Sequence, residues 1–346
     1  MKIKLFVFVL VLSVIILFNP YVYKNYVKPM VLSSDDIKQI EVKFEYRPDM
    51  YIGKYMEGII MYDGIRLINI DEKGKEIFSS TIRSDNFYVD TSSEFIYILD
   101  RVNKRIHKIN SRGEVIGDIR TDKTVVSINS FKDGKLVTQY ITDVKAEGIQ
   151  IFDKDGNVIK DIAYPKSSIN IIKEDENSGG FIVSALKREE SFMANSLYYY
   201  NHKMDSVYAN EVENSIFLDI EMKSSKLFLM DVDIISIRDK NFQEVKRLSA
   251  ENTFLGINAT DKEIALLDGK RKIKNMDIEG NLVEELNFKD DIIVLERLND
   301  ELIVATRNEI FFNKETMEFS RDIIRVLPMK NHIAVFFRGA VNFIEI

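Results

Sequence analysis

The chain has 346 residues, 45% of them apolar, with a formal net charge of −7 and an isoelectric point near 5.3. That apolar content excludes wholesale disorder, and the acidic balance argues against a nucleic-acid partner, whose phosphates call for lysine and arginine. The absence of cysteine removes disulfides, thiolate metal sites and cysteine nucleophiles together.

Residues 1–4 carry Lys2 and Lys4 and are expected on the cytoplasmic side. The run Leu5–Tyr23 has no charge. As a helix it would rise about 28 Å, against a hydrocarbon core of about 30 Å. Tyr21, Tyr23 and Tyr26 suit an interfacial belt, followed by Lys24 and Lys28. A cleaved signal peptide would need small residues after the apolar run, but Asn19, Pro20, Tyr21 and Val22 stand there. An uncleaved signal anchor is therefore expected over 5–23, then a linker over 24–36. The protein would be a single-pass cell-membrane protein with its large domain outside.

From residue 37 to 346 the sequence reads as strands without a convincing helix. Ile40, Val42, Phe44 and Tyr46 alternate with charged residues, the period of a strand with one wet face. A phrase then recurs: an apolar strand, Asp or Asn, a tight turn, and a second strand. The turn-starting residues are Asp71, Asn110, Asp153, Asn201, Asp239 and Asp277, with Asn313 as a seventh. The side chain of Asp or Asn can bind its own backbone two residues on. Gly74, Gly113, Gly156 and Gly280 supply the positive φ that such turns require. Met204, Phe242 and Thr316 stand at that position in the other copies, so those turns must differ in form or carry strain.

The repeat length is about forty residues, room for four short strands, which is a propeller blade. The second unit divides into Phe87–Thr91, Phe95–Leu99, Arg105–Ile109 and Val115–Ile119. Eight blades are expected, with seven as the alternative. The last unit is one strand short, and strand 40–46 would complete it by pairing with 340–346, closing the ring and removing an open edge.

The second unit reads FIYILDRVNKRIHKINSRGEVI. With Asp100, Asn103, Arg105, Ile106 and Gly113 in place, it resembles the NHL repeat; Asp268, Lys272 and Ile273 echo the pattern more faintly. The resemblance implies a disc-shaped scaffold that binds ligands on its loop faces. Such relatives bind RNA or proteins, act as lyases, or serve as extracytoplasmic sensors. WD40 and quinoprotein propellers rely on a repeated tryptophan, which this chain lacks.

Candidate chemistry is sparse. His107, His202 and His332 fall on different blades and away from the innermost strands, so no shared metal is expected. The segment Asp153–Asn157 suggests a calcium loop but lacks the closing glutamate, and it coincides with the repeat's own turn. The carboxylate pairs Asp231 with Asp233, Glu189 with Glu190, and Asp290 with Asp291 read as solvated charge, because a hydrolase needs carboxylates set across a pocket. Tyr198–Tyr200, Phe311–Phe312 and Phe336–Phe337 read as packing between blades. No cofactor motif occurs.

The interval between Asp153 and Asn201 is longer than the others, and the excess falls in Leu186–Ser196. A long loop on a rigid ring suits a partner site. Lys187, Arg188, Glu189, Glu190, Phe192 and Met193 are the candidate contacts. The expected function is a membrane-anchored extracytoplasmic module that binds or senses a protein or surface polymer. The alternative is an extracytoplasmic lyase or hydrolase with its site at one mouth of the channel. An enzyme would gather titratable groups in a pocket there; a binding module would have a dry or featureless channel.

Overall fold

The computed structural model describes residues 39–142, 146–188, 193–298 and 300–346. The expected anchor (5–23) and linker (24–36) lie outside these. Among the described residues, 32 strands form eight four-stranded antiparallel sheets, and no helix is long and apolar enough to cross a membrane.

Seven sheets are built from consecutive strands: blades 51–81, 87–120, 124–164, 167–213, 219–249, 254–287 and 294–318. The eighth takes Arg325–Pro328, His332–Phe337 and Ala340–Glu345 from the C-terminus and Gln39–Lys43 from the start. Gln39 lies opposite Ile344 and Lys43 opposite Ala340. Beyond the strand, the Phe44 amide donates to the Gly339 carbonyl at 3.1 Å and the Tyr46 amide to the Arg338 carbonyl at 3.2 Å. Val42, Phe44 and Tyr46 pack on a cluster that holds Phe336, Val341 and Phe343.

Each blade packs on both neighbours, because alternate residues of a strand point to opposite faces. Tyr198 and Tyr200 turn toward blade three, where the Tyr200 hydroxyl lies 2.8 Å from that of Tyr164. Tyr199 turns the other way, its ring 5.2 Å from that of Phe242 in blade five. Phe336 meets Phe44, while Phe337 meets Phe319 of blade seven. Burying each such ring contributes about 1.5–3 kcal/mol.

The repeated turn has the expected chemistry in six copies. In the first, the Asp71 carboxylate accepts from the Lys73 amide at 2.9 Å and the Lys75 amide at 2.8 Å. Met204 and Phe242 keep this form and carry the strain, at φ of 66° and 62°. The left-handed conformation costs each about 1–2 kcal/mol. Packing offsets it: Met204 is buried among blades three and four, and the Phe242 ring stacks on Tyr208 at 4.2 Å. The seventh copy takes another form. Asn313 and Lys314, at φ of 51° and 62°, make a two-residue hairpin, and Thr316 lies in a strand opposite Phe311.

Candidate functional site at one mouth of the channel

Two faces follow from the topology. The turns between the first and second strands and between the third and fourth lie on one face, which holds the Asp and Asn turns. The second-to-third turns and the connections between blades lie on the opposite face. The chain enters the ring at Gln39 on the Asp/Asn-turn face, because Gln39 pairs with Ile344 near the end of an outgoing strand.

The innermost strands of blades four to seven enclose a cavity of about 600 Å³. Its charged lining is Lys173 from blade four, Asp219 and Glu221 from blade five, and Glu296 from blade seven, with Asn258 of blade six as a neutral polar group. Lys173 Nζ lies 2.8 Å from Glu221 Oε1. Burial pushes the Glu221 carboxyl above its usual range, although Lys173 works in the opposite sense. Burial lowers Lys173, but Glu221, Asp219 and Glu176 outweigh it and hold the ammonium above its usual range. Burial also raises Glu296; Arg325 of blade eight opposes that rise and Glu221 adds to it.

The apolar lining comes from Leu255, Ile257, Leu267, Ile292, Ile293 and Leu295. A bulge aims one of these side chains: Phe254 pairs with Asp268 and Gly256 with Leu267, leaving Leu255 without a partner across the strand. On the rim stand Ile216, Leu218, Val232, Leu255 and Ile293, each between 41% and 48% exposed. Hydrogen bonds connect most of this arc. The Ile216 amide donates to Asp231 Oδ2 at 3.1 Å, the Leu218 amide to the Met230 carbonyl at 2.8 Å, and the Phe254 amide to the Val232 carbonyl at 2.7 Å. Ile65 and Val102 stand singly on the same face in blades one and two. The outer strands of several blades also expose apolar residues, such as Val115, Val158 and Leu282. That exposure repeats from blade to blade and so belongs to the repeat. The arc at the mouth does not repeat.

The extra length of blade four is in its strands. Ser167–Asp175 and Gly180–Arg188 have nine residues each, and Met193–Tyr200 and Ser206–Glu213 have eight; the strands of blade five have five or six. The expected loop over Leu186–Ser196 is therefore corrected to a hairpin that extends toward the cavity-mouth face. Its ladder continues as far as the pair Arg188 and Met193. The sequence suggested a loop from the long interval between Asp153 and Asn201, but Ala194, Asn195 and Ser196 take strand positions. They are buried between blades, where Ser184 Oγ donates to Asn195 Oδ1. Lys187 lines a groove of about 280 Å³ with Tyr198 and Glu211, and its Nζ lies 3.8 Å from Glu211. Met193 is half-buried. Glu189, Glu190 and Phe192 lie outside the described residues.

The three histidines stay apart. His107 Nδ1 is 2.7 Å from Asp118, His332 Nδ1 is 3.0 Å from Glu72, and His202 is exposed in its turn. Among the described residues, no group of three or more acidic or histidine side chains is placed to hold a metal. Asp153 spends its carboxylate on the amides of Asp155 and Asn157 at 2.9 and 2.8 Å, as a turn residue would. Asp100, in the NHL-like phrase, is fully buried and accepts from the Asn103 amide at 3.0 Å and side chain at 2.7 Å. The channel cluster was not legible in the sequence: Lys173, Glu221 and Glu296 share no motif and lie on three different blades.

The arrangement defines the class, an eight-bladed β-propeller with a polar cavity and an apolar rim at one mouth. Within that class, the chain belongs to the family described as "Family of unknown function (DUF5711)", whose model matches residues 34–346. No curated protein matches it by sequence. Among solved structures it is similar to BamB from Moraxella catarrhalis, at 8% identity and a TM-score of 0.63, over 90% of this chain and all of that one. It is similar to Saccharomyces cerevisiae Sqt1, at 9% identity and a TM-score of 0.62, over 88% of this chain and 98% of that one. It is also similar to BBS1N, solved in complex with ARL6DN, at 12% identity and a TM-score of 0.52, over 89% of this chain and 97% of that one. At these identities the likeness concerns the fold.

Proposed function

We propose that this protein is a membrane-anchored, extracytoplasmic propeller that serves as a binding scaffold for another protein. The observation that carries the reading is the apolar arc of Ile216, Leu218, Val232, Leu255 and Ile293, confined to one sector of one face. Exposed large side chains gathered at one place commonly mark an interaction site. The uncharged run Leu5–Tyr23 supports the anchor. Because the chain enters the ring on the Asp/Asn-turn face, such an anchor would hold that face toward the bilayer and turn the arc outward. A propeller of similar fold, BBS1N, was solved in complex with another protein, ARL6DN, which fits the same use of the fold. The NHL likeness of blade two belongs to this reading and adds a sensor role.

In-cell crosslinking of the full chain tests it. Carbonate-washed membranes should retain the protein, and one discrete crosslinked species should disappear in Leu218→Ser/Val232→Ser while the melting temperature holds. Recovery of a soluble form that begins near Val31 would remove the anchor.

A second reading rests on the cavity, which has the titratable groups gathered at one mouth that were expected of an enzyme rather than of a binding module. Glu296, raised above the ordinary carboxylate range, has the property of a general acid, and with the ion-paired Glu221 in the same cavity it supports a lyase or hydrolase at this mouth. Turnover of a surface-polymer substrate that is lost in Glu296→Gln but kept in Leu218→Ser/Val232→Ser would favour it.

A further inference from the structure

We propose that the occupant of this mouth is a peptide segment of the partner that carries a large aliphatic side chain beside a lysine or arginine, the aliphatic group on the rim and the cation in the cavity. The inference rests on the scaffold reading above and names the partner's chemistry.

The rim selects the apolar half of such a segment. Leu255 and Ile293 stand on the rim and also line the cavity, so an aliphatic side chain laid across them loses water on two sides. Ile216, Leu218 and Val232 extend the same surface across blade five. Desolvated apolar anchors of this kind dominate interface energies.

The charge selects the other half. Asp219, Glu221 and Glu296 line the cavity against one cation, Lys173, which Glu221 engages. Asp231 and Asp233 add two carboxylates at the blade-five turn beside Val232. The Asp231 carboxylate accepts from the Ile216 and Val232 amides, and Asp233 is exposed. Of the cations on this face, Lys270 and Arg271 are held by Asp291 at 3.6 and 2.7 Å, and Arg325 is exposed on blade eight. Within the cavity lining three carboxylates thus face one cation, on a chain of net charge −7. A lysine or arginine suits this geometry because its alkyl stem can lie on Leu255 and Ile293 while its charged end reaches Glu296. An acidic segment would add to the excess, and a purely apolar one would bury Glu296 further while bringing it no cation.

The test uses the full chain in nanodiscs of zwitterionic lipid, with empty nanodiscs as reference. The probe is a fluorescein-labelled peptide, Gly-Leu-Lys-Leu-Lys-Leu-Gly, read by anisotropy. Saturable binding is expected, about tenfold weaker when serine replaces leucine or glutamate replaces lysine. Leu255→Ser/Ile293→Ser should weaken it about tenfold, and Glu296→Gln should reduce its salt dependence. Val115→Ser/Ile116→Ser, on the outer strand of blade two, should leave it unchanged. If Leu255→Ser/Ile293→Ser lowers the melting temperature, Leu218→Ser/Val232→Ser takes its place. Absent binding, equal binding to empty nanodiscs, or binding that ignores both rim variants overturns the proposal. So does self-association in analytical ultracentrifugation that the rim variants abolish, because the occupant is then a second copy of this chain. A discrete crosslinked partner that depends on the rim, found without peptide binding, would overturn the peptide chemistry and leave the scaffold reading standing.

Discussion

Lys173 of blade four and Glu221 of blade five meet at 2.8 Å in the channel wall and join two blades that share no strand pairing. Glu221 is the more deeply buried partner. Removing Lys173 therefore leaves a carboxylate without its counter-ion in a site water reaches poorly. Lys173→Met should cost about 2 kcal/mol in urea unfolding, and Lys173→Met/Glu221→Leu should recover most of it. Additive losses in the double variant would show that the two residues do not interact.

The carboxylates of the cavity impose a pH dependence. Burial raises Glu296, so the folded chain binds its proton at a pH where the unfolded chain has released it. The stability this group contributes is complete below the ordinary carboxylate value and is lost as pH rises through the raised one. Glu296→Gln removes that loss. Its urea midpoint should match the native chain near pH 4 and exceed it increasingly toward pH 8. A gain independent of pH would assign the effect to packing.

Two glycines separate conformation from composition. Gly113 has φ of 78°, and a β-carbon there would lie 2.4 Å from the Phe78 ring. Gly117, four residues on, would meet nothing within 4 Å and has no left-handed φ. Gly113→Ala should destabilise by about 2 kcal/mol or more, whereas Gly117→Ala should be neutral or stabilise by about 0.5 kcal/mol. Thermal unfolding of the two variants decides the matter; equal shifts would contradict the turn geometry.

The closing strand offers a larger perturbation. A chain starting at Ser33 keeps Gln39–Lys43 on blade eight, and one starting at Met50 uncovers Phe336, Val341 and Phe343. The shorter chain should melt well below the longer one and bind an apolar dye. Coincident melting curves would show that the strand adds nothing to the ring.

Much of the ring was legible because its signals are local. The Asp or Asn turn with its glycine is written within five residues, and strand alternation within another six. Together they place the expected second unit, Phe87–Thr91 to Val115–Ile119, within a residue of the observed strands. The form of the degenerate turns was not legible. Met204 and Phe242 hold a left-handed backbone only because neighbouring blades bury their side chains, whereas Asn313 and Lys314 take up the turn in the seventh blade.

The sequence by itself determined the all-β class, the repeat and the turn chemistry, since each depends on residues close together in the chain; it favoured eight units and left seven open, and the closed eighth sheet settles the count. Tertiary structure alone decided that the excess of blade four is hairpin rather than loop, because Asn195 and Ser196 enter strands only when adjacent blades bury them. It alone gathered Lys173, Glu221 and Glu296 around one cavity. These residues come from three blades, 48 and 75 positions apart in the chain. Only ring closure, which turns every innermost strand toward a common axis, brings them within electrostatic reach.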